Sequence, residues 1–445
     1  MKTDQISEFV LGPLNVPEPA LDRTATLLID TLGIAAGAEG MDAGRIACNH
    51  AARFMGAAAP GDAARLLFDG RKVSIPGAAF ALATQIDNLD GHDGYNPTKG
   101  HIGCAVVPAL CAFAEHLPDL KARDALAALT MSYEVAARAG IALHATVSDY
   151  HTSGAWNALG VAALGARLRG LSGDQLRHAL GIAEYHGPRS QMMREIANPT
   201  MLHDGSGMGA LVGSMAVLQA EDGFEGAPAI TAFADEAAPY WADLGQLWTV
   251  ELNYIKPYPI CRWAHAALDA LAQAVSKHDL KPEDIASVDV HCFAEAAALY
   301  RAIPTSTSQA QYSLPFAMAV LVVHGTIAPD HIQGDGLKDP KVAAVAGRIK
   351  VHEAKHHSDR FPASRISDVV IRLKDGAKFA SGDVHARGGP EAPMSMDEVK
   401  AKFTTMTAAL GQKRQARIWA MRDRLLDPDT LFADLRAELI SPVGA

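Results

Sequence analysis

Apolar positions recur with helical spacing through the first part of the chain and with strand spacing only later. In residues 124–144, Leu126, Leu129, Val135 and Ile141 fall on one helical period. Ser172 and Gln175 stand three apart ahead of Leu176 and Leu180, the pattern of a capping box at a helix start. The apolar runs at residues 79–83 and 105–110 read as helices too, and up to about Ala274 the chain stays rich in Ala and Leu, with small residues that let helices approach closely. Alternation begins at residues 285–292, where Ile285, Val288, Val290 and Cys292 are interleaved with Ser287, Asp289 and His291. Residues 368–373 lead through Lys374-Asp375-Gly376-Ala377 into residues 378–380, a strand pair around the favoured Asp-Gly turn. Residues 311–323 and 340–348 read as helices and residues 349–351 as a strand. From Ser395, an N-cap ahead of Met396-Asp397, the pattern is helical again to about Glu438.

This order predicts a mainly α protein with an α+β part: a helical domain of residues 1–267 joined by 400–445, and an inserted α+β domain of residues 268–399. No internal repeat and no low-complexity linker separates the parts, so the insertion is expected to fold against the helical body.

Composition narrows the classes. The chain has 445 residues, 49% of them apolar, enough for a large core, so disordered and fibrous classes drop out. With 40 basic against 50 acidic side chains the formal charge is −10, and no block of clustered Lys and Arg is present, which argues against a nucleic-acid partner. No window approaches the roughly 18 uninterrupted apolar residues of a membrane helix, and the first residues lack a signal pattern, so a cytoplasmic protein without a membrane partner is expected. The five cysteines, Cys48, Cys104, Cys111, Cys261 and Cys292, are scattered and never in C-x-x-C spacing, which argues against disulfides, a zinc ribbon or an iron–sulfur ligand run.

Polar chemistry is concentrated in a few loops. The densest cluster runs from Gln85 to His101 and holds Asp87, Asp90, His92, Asp93, Lys99 and His101 between two apolar runs, where a rigid scaffold would present a carboxylate and a proton-moving imidazole. A solvated Gly/Asn/Asp turn is the plain alternative. His151 stands in Asp149-Tyr150-His151-Thr152-Ser153-Gly154 at the start of an apolar helix, where exposed amides with His151 and Ser153 suit an anion, unless Thr152 or Ser153 only caps the helix. The segment from Met201 to Ala210, with His203 and Asp204, is Gly-rich, but no strand precedes it and the spacing is not G-x-G-x-x-G, so close helix packing or a substrate-facing backbone fits better than a dinucleotide site. In residues 254–265, Lys256, Cys261, Arg262 and His265 surround Pro257 and Pro259. Fixed cations there suit a carboxylate, Arg262 by its fork, although both could be surface charges, and Cys261 reads as a small buried group rather than a nucleophile. His352-Glu353-Ala354-Lys355-His356 matches H-E-x-x-H, but a strand before it and a loop after it leave no long helix to put both imidazoles on one face, so no metal site is assigned.

Together these motifs resemble the MmgE/PrpD family. The matching pieces are Asp87-Asn88-Leu89-Asp90 with His101-Ile102-Gly103 and Val107-Pro108; Tyr133-Glu134-Val135-Ala136-Ala137-Arg138; Tyr150-His151-Thr152-Ser153-Gly154; Gly170-Leu171-Ser172; Lys256 through Arg262; Ser313-Leu314-Pro315-Phe316; and Pro393-Met394-Ser395. The resemblance, in shared order over most of the chain, implies a helical domain formed by both chain ends, an inserted lid domain, no cofactor or metal, and a homodimer. It implies catalytic roles for Asp87, His101, His151 and Lys256; beside them His92, Ser153, His203, Asp204 and Arg262 are the candidates for binding a small carboxylate substrate. Two departures stand out: Thr200-Met201-Leu202-His203 occupies a Lys-x-x-His stretch, leaving His203 or Asp204 in the lysine's place, and Phe316 occupies the position of a decarboxylase tyrosine.

The activity so implied is dehydration or hydration of a small hydroxy di- or tricarboxylate resembling 2-methylcitrate, by proton abstraction α to a carboxylate. Lys256 and Arg262 would clamp carboxylates, His151 or His101 would move protons, and Asp87 would orient an imidazole. An epimerase acting on an iminodisuccinate-like acid needs the same intermediate, and a decarboxylase, a non-catalytic binding protein and a zinc hydrolase are the remaining readings.

Overall fold

The computed structural model describes residues 3–443. Its helical body is built from α1 (Glu18–Ala38), α2 (Ile75–Leu89), α3 (Gly103–Phe113), α4 (Ala122–Thr146), α5 (Gly154–Arg169), α6 (Gly173–His186), the short α7 (Met192–Ala197) and α8 (Ser206–Glu221). Helix α5 lies between α4 and α8, which also meets α2 and α6, so the middle helices are buried on nearly every side. Glycine allows this. A Cβ at Gly160 would come 2.8 Å from Ala136 Cβ, and one at Gly213 2.5 Å from the Ala158 carbonyl oxygen, so these helices touch almost backbone to backbone. Their starts are set as the sequence indicates: Ser172 and Gln175 form a capping box at α6, an arrangement worth about 1 kcal/mol. Helix α4 is long and apolar enough by composition to cross a bilayer, yet neighbouring helices cover it.

The motif residues Glu134 and Arg138 on α4 turn out to be structural. Glu134 accepts from the Thr249 and Val250 amides at 3.0 and 2.9 Å and pairs with Arg138 at 2.5 Å, while Arg138 reaches Asp243 at 2.8 Å. One buried ion pair thus ties down the chain just before the Lys256 loop.

After α9 (His265–His278) come β1 (Ile285–Cys292), α10 (Thr307–Gln311), α11 (Leu314–His324), β2 (Ile349–Glu353), β3 (Ile366–Leu373), β4 (Lys378–Ala380) and β5 (Val384–His385). The sheet runs β2-β1-β3-β4, with β5 also on β3; β1 and β2 are parallel and the other pairs antiparallel. Val288, Val290 and Cys292 form the buried face of β1, as the alternation indicates, and Gly376 takes φ +93° in the β3–β4 turn. The helix expected over residues 311–323 is broken at Tyr312-Ser313, where Ser313 caps α11 and Pro315 follows in its first turn. A small hairpin at Ala63–Arg65 and Lys72–Ser74, too short to leave a periodic signal, interrupts the helical part. The chain then returns as α12 (Met396–Met406), capped by Ser395 with Glu398, α13 (Gln412–Arg424) and α14 (Phe432–Leu439). Helices α12 and α13 pack on α1, and α14 on α4, so the last helices rejoin the first part of the chain. Lys402 of α12 pairs with Asp30 of α1 at 2.7 Å and donates to the Gly91 carbonyl at 2.6 Å, which fixes the loop after α2.

Candidate active site

The loop between α2 and α3 is held by its own backbone and by the 254–262 segment. Gly94 and Tyr254 exchange both amide hydrogen bonds, at 3.1 and 2.7 Å, and Asp90 turns the chain in the left-handed region at φ +55°. A Cβ at Gly94 would lie 2.8 Å from His101 Nδ1, so the absence of a side chain there makes room for the imidazole.

These loops, with residues from α7, α8's leading turn and the inserted part, enclose a cavity of about 20 Å³. That is room for about one water, so a larger ligand enters only when its walls part. Lys256, Arg262, Arg365 and Lys99 bring positive charge to it, and Asp90 and Asp204 negative charge.

His101 is the best-oriented proton carrier. Its Nδ1 lies 2.5 Å from the Asp93 carbonyl oxygen, which can only accept, so Nδ1 bears the hydrogen and Nε2 is left as the basic nitrogen. Asp204 Oδ2 is 3.5 Å from Nε2. Its other oxygen accepts from Ser153 Oγ at 2.7 Å, and Ser153 Oγ accepts from the His101 amide at 2.9 Å, so Ser153 fixes both partners without lining the cavity. Burial, and then the nearby Lys256 charge, push the His101 imidazolium down to about 4, keeping the ring neutral near pH 7.

The cations are buried. Lys256 has no exposed surface and forms an ion pair with Asp90, whose carbonyl it also reaches at 3.1 Å. Burial opposes its charge, but Asp90, Tyr254 and Cys261 together outweigh that and the ammonium pKa is raised; burial pushes the Asp90 carboxyl up to about 6 against the pull of Lys256. Arg262 stacks over the Tyr254 ring at 4.2 Å and donates to the Arg387 and Ala386 carbonyls at 2.6 and 3.1 Å. Arg365, 5% exposed, has Nε and Nη1 without partners, whereas Arg262 has only Nε unpartnered, so Arg365 has the more donors to spare. Tyr150, Tyr254 and Tyr312 add hydroxyls that burial keeps protonated, Tyr150 donating to the Lys99 carbonyl and Tyr312 to Glu195. Burial likewise pushes the Cys261 thiol up, away from a thiolate nucleophile.

The structure thus brings His101, Lys256, Asp204 and Arg262 to one cavity and sets the other expected residues around it. Asp87 sits one layer behind, accepting from the Ser206 amide at the start of α8 at 3.0 Å, with His92 Nε2 3.7 Å from its other oxygen. His92 is fully buried, both nitrogens unpartnered, and stacks edge-on to His101 at 4.5 Å. His203 contacts Ser308 at 3.4 Å and the Tyr312 ring at 5.4 Å, and its neighbour Asp204 is the one that lines the cavity. His151 lies outside the lining, its backbone paired with Gln191, and Tyr150 takes the place beside it. Phe316 is buried in α11 and also outside, whereas Tyr312, four residues earlier, supplies a hydroxyl there. Arg365, Tyr312 and Met192 are lining residues that the sequence reading did not single out.

Two sets of side chains here have donor atoms within 4.8 Å of one another, Asp87-His92-Cys104 and Asp90-His92-His101. A cation in the second would compete with Lys256 for Asp90 and lie beside that ammonium. In the first, burial keeps the Cys104 thiol protonated and Asp87 well above the usual carboxylate range, a poor donor set for an ion. The H-E-x-x-H segment is split: His352 ends up on β2, 3.0 Å from Asp289, and His356 in the turn that follows.

Curated relatives align with most of the chain. Cis-aconitate decarboxylase of Homo sapiens is 26% identical over 352 residues, covering 73% of this chain and 71% of its own. The Mus musculus protein of that name is 24% identical over 352 residues, 73% of this chain and 70% of its own, and that of Aspergillus terreus 22% over 433 residues, 86% of each. Residues 5–237 match the MmgE/PrpD N-terminal domain and residues 258–427 the MmgE/PrpD C-terminal domain, and the chain belongs to the MmgE/PrpD family.

Proposed function

We propose that the protein is a lyase of small di- or tricarboxylates that removes or adds water across a carbon–carbon bond by proton transfer at the carbon α to a carboxylate. The observation that carries this reading is a neutral His101 whose basic Nε2 faces a cavity with three buried cations, Lys256, Arg262 and Arg365. Arg365, with free donors, and Lys256 hold the substrate carboxylates and stabilise the negative charge that builds up as His101 takes the α proton. Asp204, 3.5 Å from Nε2, stabilises the imidazolium that results. The departing hydroxyl takes a proton from the Tyr254 hydroxyl, held protonated by burial, and leaves as water, and the proton on His101 returns to the tyrosinate.

Decarboxylation is the second reading. It draws on the names of the relatives and on Tyr312, which puts a hydroxyl on the cavity although Phe316 stands at the family's tyrosine position. The same cations would hold the carboxylates that stay while a proton reaches the carbon that loses carbon dioxide. Epimerisation shares the carbanion-like intermediate and differs in the face of reprotonation.

The test is a panel of hydroxy and unsaturated di- and tricarboxylates incubated in deuterium oxide. Water elimination gives a conjugated acid that absorbs in the ultraviolet, decarboxylation releases carbon dioxide, and epimerisation gives deuterated product with no alkene. Acids that raise the melting temperature but never exchange a carbon-bound proton would overturn the catalytic reading.

A further inference from the structure

Away from the cavity, the inserted part gathers imidazoles and carboxylates that neither the helical scaffold nor the proposed chemistry uses. Strands β3 and β5 pair at Ser367 and Val384, so Asp368, the next residue on β3, and Asp383, the residue before β5, come opposite one another beyond that pair. The turn Lys355–Ser358 after β2 sets His356 and His357 beside them, their rings 4.0 Å apart. His356, His357, Asp368 and Asp383 each offer one nitrogen or oxygen atom, and these four atoms lie within 4.8 Å of one another.

We infer that His356, His357, Asp368 and Asp383 form a site for a divalent transition-metal ion of the zinc class. Imidazole nitrogen with carboxylate oxygen is the ligand chemistry of such ions, which hold them at about 2.0–2.2 Å, and the exposed side chains of His356 and Asp383 are free to close that distance. Two ligands are already fixed. His357 is buried and its Nε2 meets Asp368 Oδ1 at 2.9 Å, close to the separation of two ligands on one ion, so Nε2 is the nitrogen that would bind once an ion displaces the proton between them. His291 holds the other Asp368 oxygen at 2.8 Å, the outer-shell support that orients a ligating carboxylate. Half-exposed Arg360 pairs with Asp383 at 3.3 Å, a contact that a dication bound to Asp383 would displace. The site uses the second histidine of the H-E-x-x-H segment and not the first, since His352 is paired with Asp289.

The test is titration of chelator-treated full-length protein with cobalt(II), read by visible absorption, with zinc(II) as competitor. One equivalent should bind, zinc should displace it, and His356→Gln or Asp383→Asn, both on the surface, should weaken binding at least about tenfold while leaving the far-ultraviolet spectrum unchanged. His352→Gln should bind as the wild type does. Binding by the His356→Gln/Asp383→Asn double variant within twofold of wild type, or absence of a saturable wild-type site, overturns the assignment, and loss of binding in His352→Gln would return it to the sequential motif.

Discussion

His101 Nδ1 donates to the Asp93 carbonyl oxygen across 2.5 Å, and this contact decides which nitrogen of the ring faces the substrate cavity. His101→Ala should therefore lower turnover by roughly 10²–10⁴ with the fold intact, the range for a lost general acid or base. The pH profile is a sharper test. Because burial holds the His101 pKa at about 4, kcat/KM in the wild type should show no loss from that ring until well below pH 6. An acid limb near 6 belongs instead to Asp90 or Asp93, both pushed up to about 6 by burial, and should survive in the residual activity of His101→Ala. Disappearance of that limb in the variant would assign it to His101 and sink the orientation argument.

The Lys256–Asp90 pair makes a prediction about stability. Both partners are buried, so Asp90→Asn leaves an uncompensated ammonium and should cost about 3–5 kcal/mol in urea unfolding. Adding Lys256→Met should recover much of that loss, because two charges are then absent from the interior, yet activity should not return. Equal instability of single and double variants would show that the pair matters for shape rather than charge.

Legibility in the sequence followed how local each feature was. The 87–101 loop could be found because its polar residues crowd between two apolar runs, and the helices and β1 because their periods are long. Arg365 and Tyr312 carry no such signal: each sits in unremarkable surroundings along the chain and meets the cavity only through tertiary packing, and Glu195 comes near it only as the acceptor of the Tyr312 hydroxyl. Neighbours were harder to separate than segments. The 149–154 stretch does reach the site, but Tyr150 lines the cavity rather than His151, and the 313–316 motif stays outside while Tyr312, one residue before it, lines the cavity at the turn that breaks the expected helix.

Arg365 separates binding from chemistry. With Nε and Nη1 unpartnered in a buried cavity wall, it should act mainly on substrate carboxylates. Arg365→Lys should raise KM by about tenfold or more, with a smaller change in kcat, since lysine keeps the charge but loses the two-pronged geometry. A large fall in kcat at unchanged KM would move Arg365 from holding the substrate to stabilising the transition state.

Gly100 probes how tightly the base is placed. A Cβ there would lie 2.5 Å from Ser153 Oγ and 2.8 Å from Trp156, the first of which accepts from the His101 amide. Gly100→Ala should cost about 1–3 kcal/mol of stability and shift the imidazole enough to reduce kcat by about tenfold to a hundredfold. Melting curves and steady-state rates on one preparation check both, and wild-type kcat in a destabilised variant would show that Ser153 can yield without moving His101.

His144 tests the pH dependence of folding apart from catalysis. Burial, with Lys99 next, lowers its pKa to about 4, whereas an unfolded chain leaves it near the ordinary 6.5. Between those values the unfolded chain binds a proton that the folded protein does not, so the contribution is present in full above pH 6.5 and is lost as pH falls towards 4. His101 and His203, also held at about 4 by burial, act in the same direction, while Asp90 and Asp93, raised to about 6, act in the opposite one, so the net wild-type slope is the difference of several terms. Replacing His144 with Asn removes one term. The slope of unfolding free energy against pH between 4.5 and 6 should then fall by up to about 1.4 kcal/mol per pH unit, measured by urea titration at each pH. An unchanged slope would mean that His144 titrates alike in the folded and unfolded protein, and that burial does not hold it neutral.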